Sequence, residues 1–176
     1  MKPFVVLSLP RSRSFWLSCF LSDSARPVEH EPSRNFRARE DVGAYFARPG
    51  AAAVDTALGL IWRDLELPPN IKLAVMHRPL DEVCASLDRL GLPSSGMPEL
   101  ADKLNSLPGL HFDANRLGDE ATASAVYAYC TGYTVSRCHW EEFAKQNLQA
   151  NPAAMMVDAL ANIAGIQAVF GKREAA

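Results

Sequence analysis

The sequence lacks a long apolar run, a net charge of any size and a cysteine pair, and each absence excludes a class of protein. No uninterrupted apolar stretch approaches the length of a membrane-spanning helix. Pro10 and Arg11 cut the N-terminal apolar run too short for a secretory signal. The net charge of −2 gives no general attraction to nucleic acid or anionic membrane. We therefore expect neither as a partner, and any anion site must be local.

The four cysteines, Cys19, Cys84, Cys130 and Cys138, include no C-x-x-C pair. Their apolar or helical surroundings are typical of reduced, mostly buried thiols in a cytoplasmic protein. Cys138 precedes His139, but no second pair has the spacing of zinc ligands. We expect a cytoplasmic protein without a metal site.

Length and composition indicate one globular domain. The chain has 176 residues, of which 48% are hydrophobic and 22% charged, as in ordinary soluble domains. We find no internal repeat and no low-complexity linker. The single domain is expected to span residues 1–176, with a C-terminal helical tail from about residue 150.

Apolar segments alternate with segments of helical period along the chain. The apolar segments that predict strands are Phe4–Ser8, Ala25–Glu31, Ala51–Val54, Ile71–Met76 and Leu110–Phe112. The helical segments are Ser14–Ser22, Asn35–Phe46, Thr56–Leu65, Leu80–Leu90, Glu99–Leu107, Asp119–Gly132 and Ser136–Asn147. This alternation predicts an α/β three-layer sandwich with a mainly parallel central sheet. In such folds ligands bind beyond the C-terminal ends of the strands.

The turn after the first predicted strand has the composition of an anion-binding loop. It carries Arg11 and Arg13, whose guanidinium groups suit phosphate or sulfate, and the hydroxyls of Ser12 and Ser14. A helix start follows, where free N–H groups and the helix dipole favour negative charge. The alternative is a surface turn whose arginines are simply solvated.

This turn, PRSRSFWL, resembles the 5′-phosphosulfate-binding loop of the P-loop-fold sulfotransferases, which reads roughly P-[RK]-S-G-[TS]-[TS]-W-L. It is not a Walker loop, because the G-x-x-x-x-G-K-[ST] spacing and its lysine are missing. The matching residues are Pro10, Arg11, Ser12, Ser14, Trp16 and Leu17. Arg13 replaces the usual glycine and would crowd the loop or add a charge to it. Phe15 replaces a hydroxyl and would remove one sulfate contact.

A second motif follows the Ile71–Met76 strand. Arg78 at the strand end and Ser86 on the following helix could bind one phosphate together. The segment resembles the 3′-phosphate-binding segment of the same family, roughly R-[ND]-P-x-[DE]-x-x-x-S, with looser matches at Pro79 and Asp81. A purely structural interpretation also exists: Pro79 begins the helix, and Asp81 and Glu82 favour its first turn.

The resemblance implies a P-loop NTPase/sulfotransferase-like fold and a small member of bacterial or bacteriophage type. It implies a nucleotide site formed by Pro10, Arg11, Ser12, Arg13, Ser14, Phe15, Trp16, Arg78 and Ser86. The co-substrate would be 3′-phosphoadenosine 5′-phosphosulfate, used without a metal. The acceptor would be a hydroxyl of a small molecule or glycan. The sequence leaves open the identity of this acceptor and the oligomeric state of the protein.

Sulfuryl transfer needs cations such as Arg11 for the leaving phosphate and a base for the acceptor proton. The resemblance implies a catalytic glutamate soon after the first helix, and Glu31 is the closest match in position. His30 or Glu29 takes this role if the strand is turned the other way. We expect Glu31 to point into a pocket bounded by Arg11 and Arg78, and His30 to point away. The alternative is an edge strand whose polar side chains face water.

Two other functions fit parts of the sequence. A kinase-like nucleotide-binding enzyme would use Asp55, which follows the apolar run Ala51–Val54, to hold Mg²⁺ through water. Asp55 could instead orient the acceptor, pair with Arg11 or cap the next helix. A binding module without catalysis would explain Arg13 and Phe15, the two departures in the first loop.

Overall fold

The protein is built around a five-stranded parallel sheet with the strand order β2-β3-β1-β4-β5. The computed structural model describes residues 2–23, 26–65 and 67–146. The strands are β1 (Phe4–Ser8), β2 (Glu29–His30), β3 (Ala52–Asp55), β4 (Lys72–His77) and β5 (Leu110–Asp113). The central β1 is buried along its whole length, which explains its unbroken apolar sequence.

Helices cover both faces of the sheet, so the predicted three-layer α/β architecture is confirmed. They are α1 (Ser14–Leu21), α2 (Arg39–Ala47), α3 (Leu80–Asp88), α4 (Met97–Asn105), α5 (Glu120–Thr131) and α6 (Arg137–Ala144). Val5 and Leu7 of β1 pack with α2, α3 and α4. Phe4 and Val6 face the other way and pack with α1, α5 and α6. Alternate side chains of one strand thus serve two separate cores.

Three predicted segments differ from the observed ones. The helix expected over Thr56–Leu65 is a pair of 3₁₀ turns, Leu58–Leu60 and Trp62–Asp64. Apolar residues three apart also share a face of a 3₁₀ helix, so the spacing did not separate the two forms. Of the strand expected over Ala25–Glu31, only Glu29–His30 joins the sheet among the residues described, and Arg26 forms an isolated antiparallel bridge with Asp23.

The helix expected over Asn35–Phe46 begins later, at Arg39. The carboxylate of Asp41 accepts hydrogen bonds from the backbone N–H groups of Arg37 and Ala38, at 2.6 and 2.9 Å. These bonds satisfy donors before the first helical turn and fix where the helix starts. A 3₁₀ turn, Pro32–Asn35, occupies the segment before it.

Some sequence predictions lie outside the described residues, namely the helical tail from about residue 150 and the end of the Ser136–Asn147 helix. The four cysteines are free; Cys130 is buried, Cys19 and Cys84 are half-buried, and Cys138 is exposed. Within the described ranges, every helix is too short or too polar to cross a bilayer.

The C-terminal ends of the parallel strands meet at one edge of the sheet. After β1 the chain passes to the face covered by α1, and after β4 it passes to the face covered by α3. A crevice forms where neighbouring strands send their connections to opposite faces, and ligands of open α/β sheets bind there. The loops after β1 and β4 therefore frame the expected binding region.

The start of β5 depends on a glycine. Gly109 has a φ of +126°, and a Cβ atom there would lie 2.3 Å from the carbonyl oxygen of Leu73 in β4. We predict that Gly109→Ala lowers the free energy of unfolding by about 1–3 kcal/mol or more. The backbone conformation is strained for alanine, and the added Cβ atom would clash with the carbonyl oxygen of Leu73. Urea denaturation measures this. Gly118→Ala, where a Cβ meets open space, is the matched control. Equal stability of the two variants would contradict the prediction.

Candidate functional site

The loop after β1 has an unusual backbone conformation at two arginines. Arg11 and Arg13 have φ values of 64° and 63°, in the left-handed region. Alternation of left-handed residues with ordinary ones makes a concave nest of N–H groups that binds anions. Glycine adopts this conformation most readily, which agrees with the glycine found at the position of Arg13 in the resembled motif. Arginine nevertheless holds it here.

Two further features of the loop leave hydrogen-bond donors without partners. The hydroxyl of Ser12 is fully buried and has no hydrogen-bond partner in the described part of the chain. The helix α1 follows at Ser14, and its first turn has no side-chain cap. The N–H groups of an uncapped first turn need an acceptor from elsewhere. The loop is therefore a set of donors that an oxyanion would satisfy.

The two sequence motifs meet in the structure. The Nε of Arg11 donates a hydrogen bond to Ser86 Oγ over 3.1 Å. The guanidinium of Arg78 donates to the backbone carbonyl of Arg11, and its Nε donates to Glu82 Oε2 over 3.0 Å. Burial lowers the pKa of Arg11, and the nearby charges of Arg78 and Arg89 lower it further. This crowding of positive charge is the electrostatic condition for binding an anion.

The basic side chains line one cavity of about 360 Å³, here called the basic cavity. Its walls include Arg11, Arg13 and Arg78, together with Asn115 and Lys145. The guanidinium of Arg13 lies over the ring of Trp16, 4.7 Å from its centroid. Arg13 thus adds a charge to the cavity, which is one of the two effects expected of it.

Lys145 is a site residue that the sequence did not reveal. It follows α6, which is held to α1 by a hydrogen bond from Trp16 Nε1 to the carbonyl of Phe143, 2.9 Å long. The ring of Phe143 also packs edge-on against that of Trp16, with centroids 6.2 Å apart. The sequence around Lys145 carries no motif, so only the packing of α6 brings it to the cavity.

His30 lies against the loop after β1, and it is not among the residues that line the basic cavity. Its Nε2 is 3.0 Å from Ser14 Oγ, and its ring meets that of Phe15 edge-on, with centroids 5.4 Å apart. Burial lowers the pKa of His30 to about 4, with a further contribution from Arg34. His30 is therefore neutral near pH 7 and can accept a proton or a hydrogen bond.

Glu31 lies in the interior, next to Asp55. Its Oε2 accepts a hydrogen bond from the backbone N–H of Thr56 over 3.2 Å, and its Oε1 is 3.8 Å from His30 Nε2. Burial raises the pKa of Glu31 to about 8, and the neighbouring Asp55 contributes. The walls of the basic cavity are formed by other described residues. The expected orientation of Glu31 is therefore wrong, whereas its role as a base stays a prediction.

Asp55 takes the capping role that the sequence left as one alternative. Its side chain is fully buried. Its Oδ1 accepts from the N–H groups of Ala57 and Leu58, both at 2.9 Å, and its Oδ2 accepts from the N–H of Ser33 at 3.1 Å. Glu29, the third polar residue considered on this strand, pairs with Arg48 Nη2 at 3.1 Å on the exposed side.

A second cavity, of about 470 Å³, is also lined by Arg78 and is here called the histidine cavity. His77, at the end of β4, and His111, in β5, line it with their rings nearly parallel, 4.9 Å apart at an angle of 13°. His77 Nε2 is 2.7 Å from His111 Nδ1. The sequence suggested only a structural or surface role for His111, because a single histidine in a short strand carries no motif.

Comparison with known proteins gave no match. No family model, no curated protein and no solved structure is similar enough to this chain to identify a family. In the described part of the chain, no group of three or more His, Cys, Asp or Glu side chains is arranged to hold a metal ion. The resemblance to sulfotransferases therefore depends on the two motifs themselves.

The buried position of Glu31 predicts a pH dependence of stability. A carboxyl group whose pKa is raised from 4.5 to about 8 binds its proton more tightly in the folded protein. The contribution of Glu31 to the free energy of unfolding should therefore fall as the pH rises from 4.5 to 8, by up to about 1.4 kcal/mol per pH unit. His30, whose pKa is lowered from 6.5 to about 4, has the opposite effect below pH 6.5, so the net fall is expected between pH 6.5 and 8. Glu31→Gln cannot ionise, so the variant should lose this slope.

Urea denaturation between pH 4.5 and 8.5 measures the slope. Glu29→Gln, which alters a partly exposed carboxylate two residues earlier in the chain, is the control and should keep the wild-type slope. If Glu31→Gln and wild type show the same slope, Glu31 is ionised in the folded protein and the prediction fails.

Proposed function

We propose that the protein is a sulfotransferase-like enzyme. It transfers a sulfuryl group from 3′-phosphoadenosine 5′-phosphosulfate to a hydroxyl of a small molecule or glycan. The observation that carries the proposal is the contact between the two motifs, in which Arg11 donates to Ser86 and Arg78 donates to the carbonyl of Arg11. The two motifs are far apart in the sequence, and each resembles a phosphate-binding segment of the same family. Arg11 and Arg78 line the basic cavity, and Ser86 contacts Arg11.

The donors are suited to a ligand with two separate anionic groups. The nest at Arg11–Arg13, the first turn of α1 and the unpartnered hydroxyl of Ser12 would hold the 5′-phosphosulfate. Arg78 and Ser86 would hold the 3′-phosphate. The basic cavity has about 360 Å³, within the range of pockets for small ligands. Lys145 adds a further positive charge at its wall.

In the proposed reaction the acceptor oxygen attacks sulfur, and the bond from sulfur to the oxygen of the 5′-phosphate breaks. Negative charge then develops on the departing phosphate, where Arg11 and the loop N–H groups stabilise it. The hydroxyl proton needs an acceptor. The resemblance assigns this role to Glu31; Glu31→Gln would then keep nucleotide affinity and lose about 10²–10⁴ in turnover.

The kinase alternative is weakened by the environment of Asp55. Both of its carboxylate oxygens accept backbone hydrogen bonds in the interior, so they are poorly placed for Mg²⁺. The binding-module alternative is favoured by Phe15, whose ring packs on His30 where the resembled motif has a hydroxyl. Thermal-shift measurements separate the three functions. Stabilisation by 3′-phosphoadenosine 5′-phosphate without Mg²⁺ supports a sulfotransferase, Mg²⁺-dependent stabilisation by ATP supports a kinase, and neither supports a module with another ligand.

Arg11→Ala should weaken binding of 3′-phosphoadenosine 5′-phosphate about ten- to a hundred-fold, because it removes a charge-assisted hydrogen bond worth about 1.5–3 kcal/mol. Isothermal titration calorimetry measures the dissociation constant. Arg137→Ala is the matched control, since Arg137 pairs with Glu141 on the exposed side of α6. An unchanged constant in Arg11→Ala would refute the placement of the phosphosulfate.

Arg78→Ala should remove discrimination in favour of the 3′-phosphate. Wild type should bind 3′-phosphoadenosine 5′-phosphate at least about tenfold more tightly than adenosine 5′-phosphate, as expected for a charge-assisted contact. The ratio should approach one in Arg78→Ala. Titration of both proteins with both nucleotides gives the coupling directly. Equal affinity of wild type for the two nucleotides would rule out a 3′-phosphate site.

A further inference from the structure

The hydroxyl of Ser14 contacts a ring nitrogen that can either donate or accept a hydrogen bond. Ser14 is the first residue of α1, in the same turn as the uncapped N–H groups. Its Oγ lies 3.0 Å from Nε2 of His30. A hydroxyl has a single hydrogen, and only one of the two nitrogens of a neutral imidazole carries one. The hydrogen in this contact therefore belongs either to Ser14 or to His30.

The position of this hydrogen determines what Ser14 offers to an anion in the loop. If His30 Nε2 is bare, Ser14 donates its only hydrogen to the ring, and the lone pairs that remain on Oγ repel an anion. If Nε2 carries the hydrogen, His30 donates to Ser14 Oγ, and the hydroxyl hydrogen is free to bind the anion. Hydrogen bonds to a charged oxygen are about twice as strong as those between neutral groups. A bound oxyanion therefore favours the second arrangement.

The surroundings of His30 favour hydrogen on Nε2 as well. Glu31 Oε1 lies 3.8 Å from this nitrogen, and the electron pairs of a carboxyl oxygen attract an N–H group and repel a bare nitrogen. Burial lowers the pKa of His30 to about 4, so near pH 7 the ring is neutral and has one N–H group. That group serves either Nε2 or Nδ1, and both Ser14 and Glu31 place oxygen atoms near Nε2.

The ring of His30 is held in place from two directions. Its backbone ends β2, where His30 pairs with Val54 of β3, so its Cα position is set by the sheet. The rings of Phe15 and His30 meet at 84°, with centroids 5.4 Å apart, and only 15% of the His30 side chain is exposed. A group that orients another must have its own rotamer fixed by packing, and His30 meets this condition.

We infer that His30 is a positioning residue of the anion loop, whose Nε2–H group donates to Ser14 Oγ and directs the Ser14 hydroxyl to a bound oxyanion. The inference rests on the oxyanion site of the proposed function, but it needs only the anion and not the nucleotide. It also gives Phe15 a function. Phe15 stands where the resembled motif has a hydroxyl, and its ring instead holds the histidine that orients the hydroxyl of the preceding residue.

Nuclear magnetic resonance of the wild-type protein tests the inference without a variant that has to fold. The probe is inorganic sulfate, and histidine ¹⁵N spectra report which ring nitrogen carries hydrogen. In the sulfate-bound protein His30 should carry hydrogen at Nε2 and be bare at Nδ1. A bound protein in which Nε2 is bare would overturn the inference. Failure of sulfate to bind would overturn it together with the oxyanion site.

A double-mutant cycle tests whether His30 acts through Ser14. Ser14→Ala and His30→Leu should each raise the dissociation constant of sulfate about tenfold, and the double variant should be no weaker than either, because all three lose the same hydrogen bond to the anion. His30→Gln, whose amide nitrogen can donate in place of Nε2, should stay within about threefold of wild type. His111→Leu is the matched control, since His111 lines the histidine cavity and not the basic cavity.

Losses that add in the double variant would overturn the inference, as would a loss in His30→Gln equal to that in His30→Leu. A parallel titration with 3′-phosphoadenosine 5′-phosphate separates the inference from the proposed function. If sulfate shows the coupling and the nucleotide does not bind, the role of His30 is supported and the nucleotide assignment fails. If the nucleotide binds and the cycle shows no coupling, the role of His30 fails and the nucleotide assignment stands.

Discussion

The candidate site depends on the parallel pairing of β1 with β4. The register places Leu7 beside Val75 and Ser8 beside Met76, so both strands end at the same level. The loops that follow them then start side by side, and Arg11 comes within hydrogen-bond distance of Ser86. A shift of one residue in this register would turn the side chains of β4 to the opposite faces and separate the two motifs. The apolar packing on both faces of β1 thus determines where the charges lie.

The charges and the backbone conformation of this loop are unfavourable to folding. Arg11 and Arg78 lie close together, and the main local compensation for Arg78 is Glu82, at 3.0 Å. Arg11 and Arg13 also hold left-handed backbone conformations, each with a cost of about 1–3 kcal/mol outside glycine. Strain and like charge in one loop are common at functional sites, where a ligand offsets them. A bound oxyanion would reduce the repulsion between the Arg11 and Arg78 charges and would also accept a hydrogen bond from the Ser12 hydroxyl.

The sequence predicted the parts of this structure that follow from local pattern. Continuous apolar runs indicated β1 and β4, and the arginine after each strand indicated the site, because parallel strands end at one edge. The orientation expected for Glu31 was wrong, since a two-residue strand followed by the left-handed Glu31 does not obey simple alternation. Lys145 and the pairing of His77 with His111 were not predictable. Both arise from contacts between segments far apart in the chain, which no local spacing encodes.

The hydrogen bond from Trp16 to the carbonyl of Phe143 has a consequence for how a ligand could enter the basic cavity. The helix α6 has no fully buried residue in its length, so its attachment to the core is weaker than that of α1 or α5. Elements with few buried contacts open at a lower free energy than the global unfolding of a domain. We therefore expect the wall that carries Lys145 to open at a lower free energy than the sheet and the loop after β1. Entry to the basic cavity would then depend on the local stability of α6 more than on the stability of the whole fold.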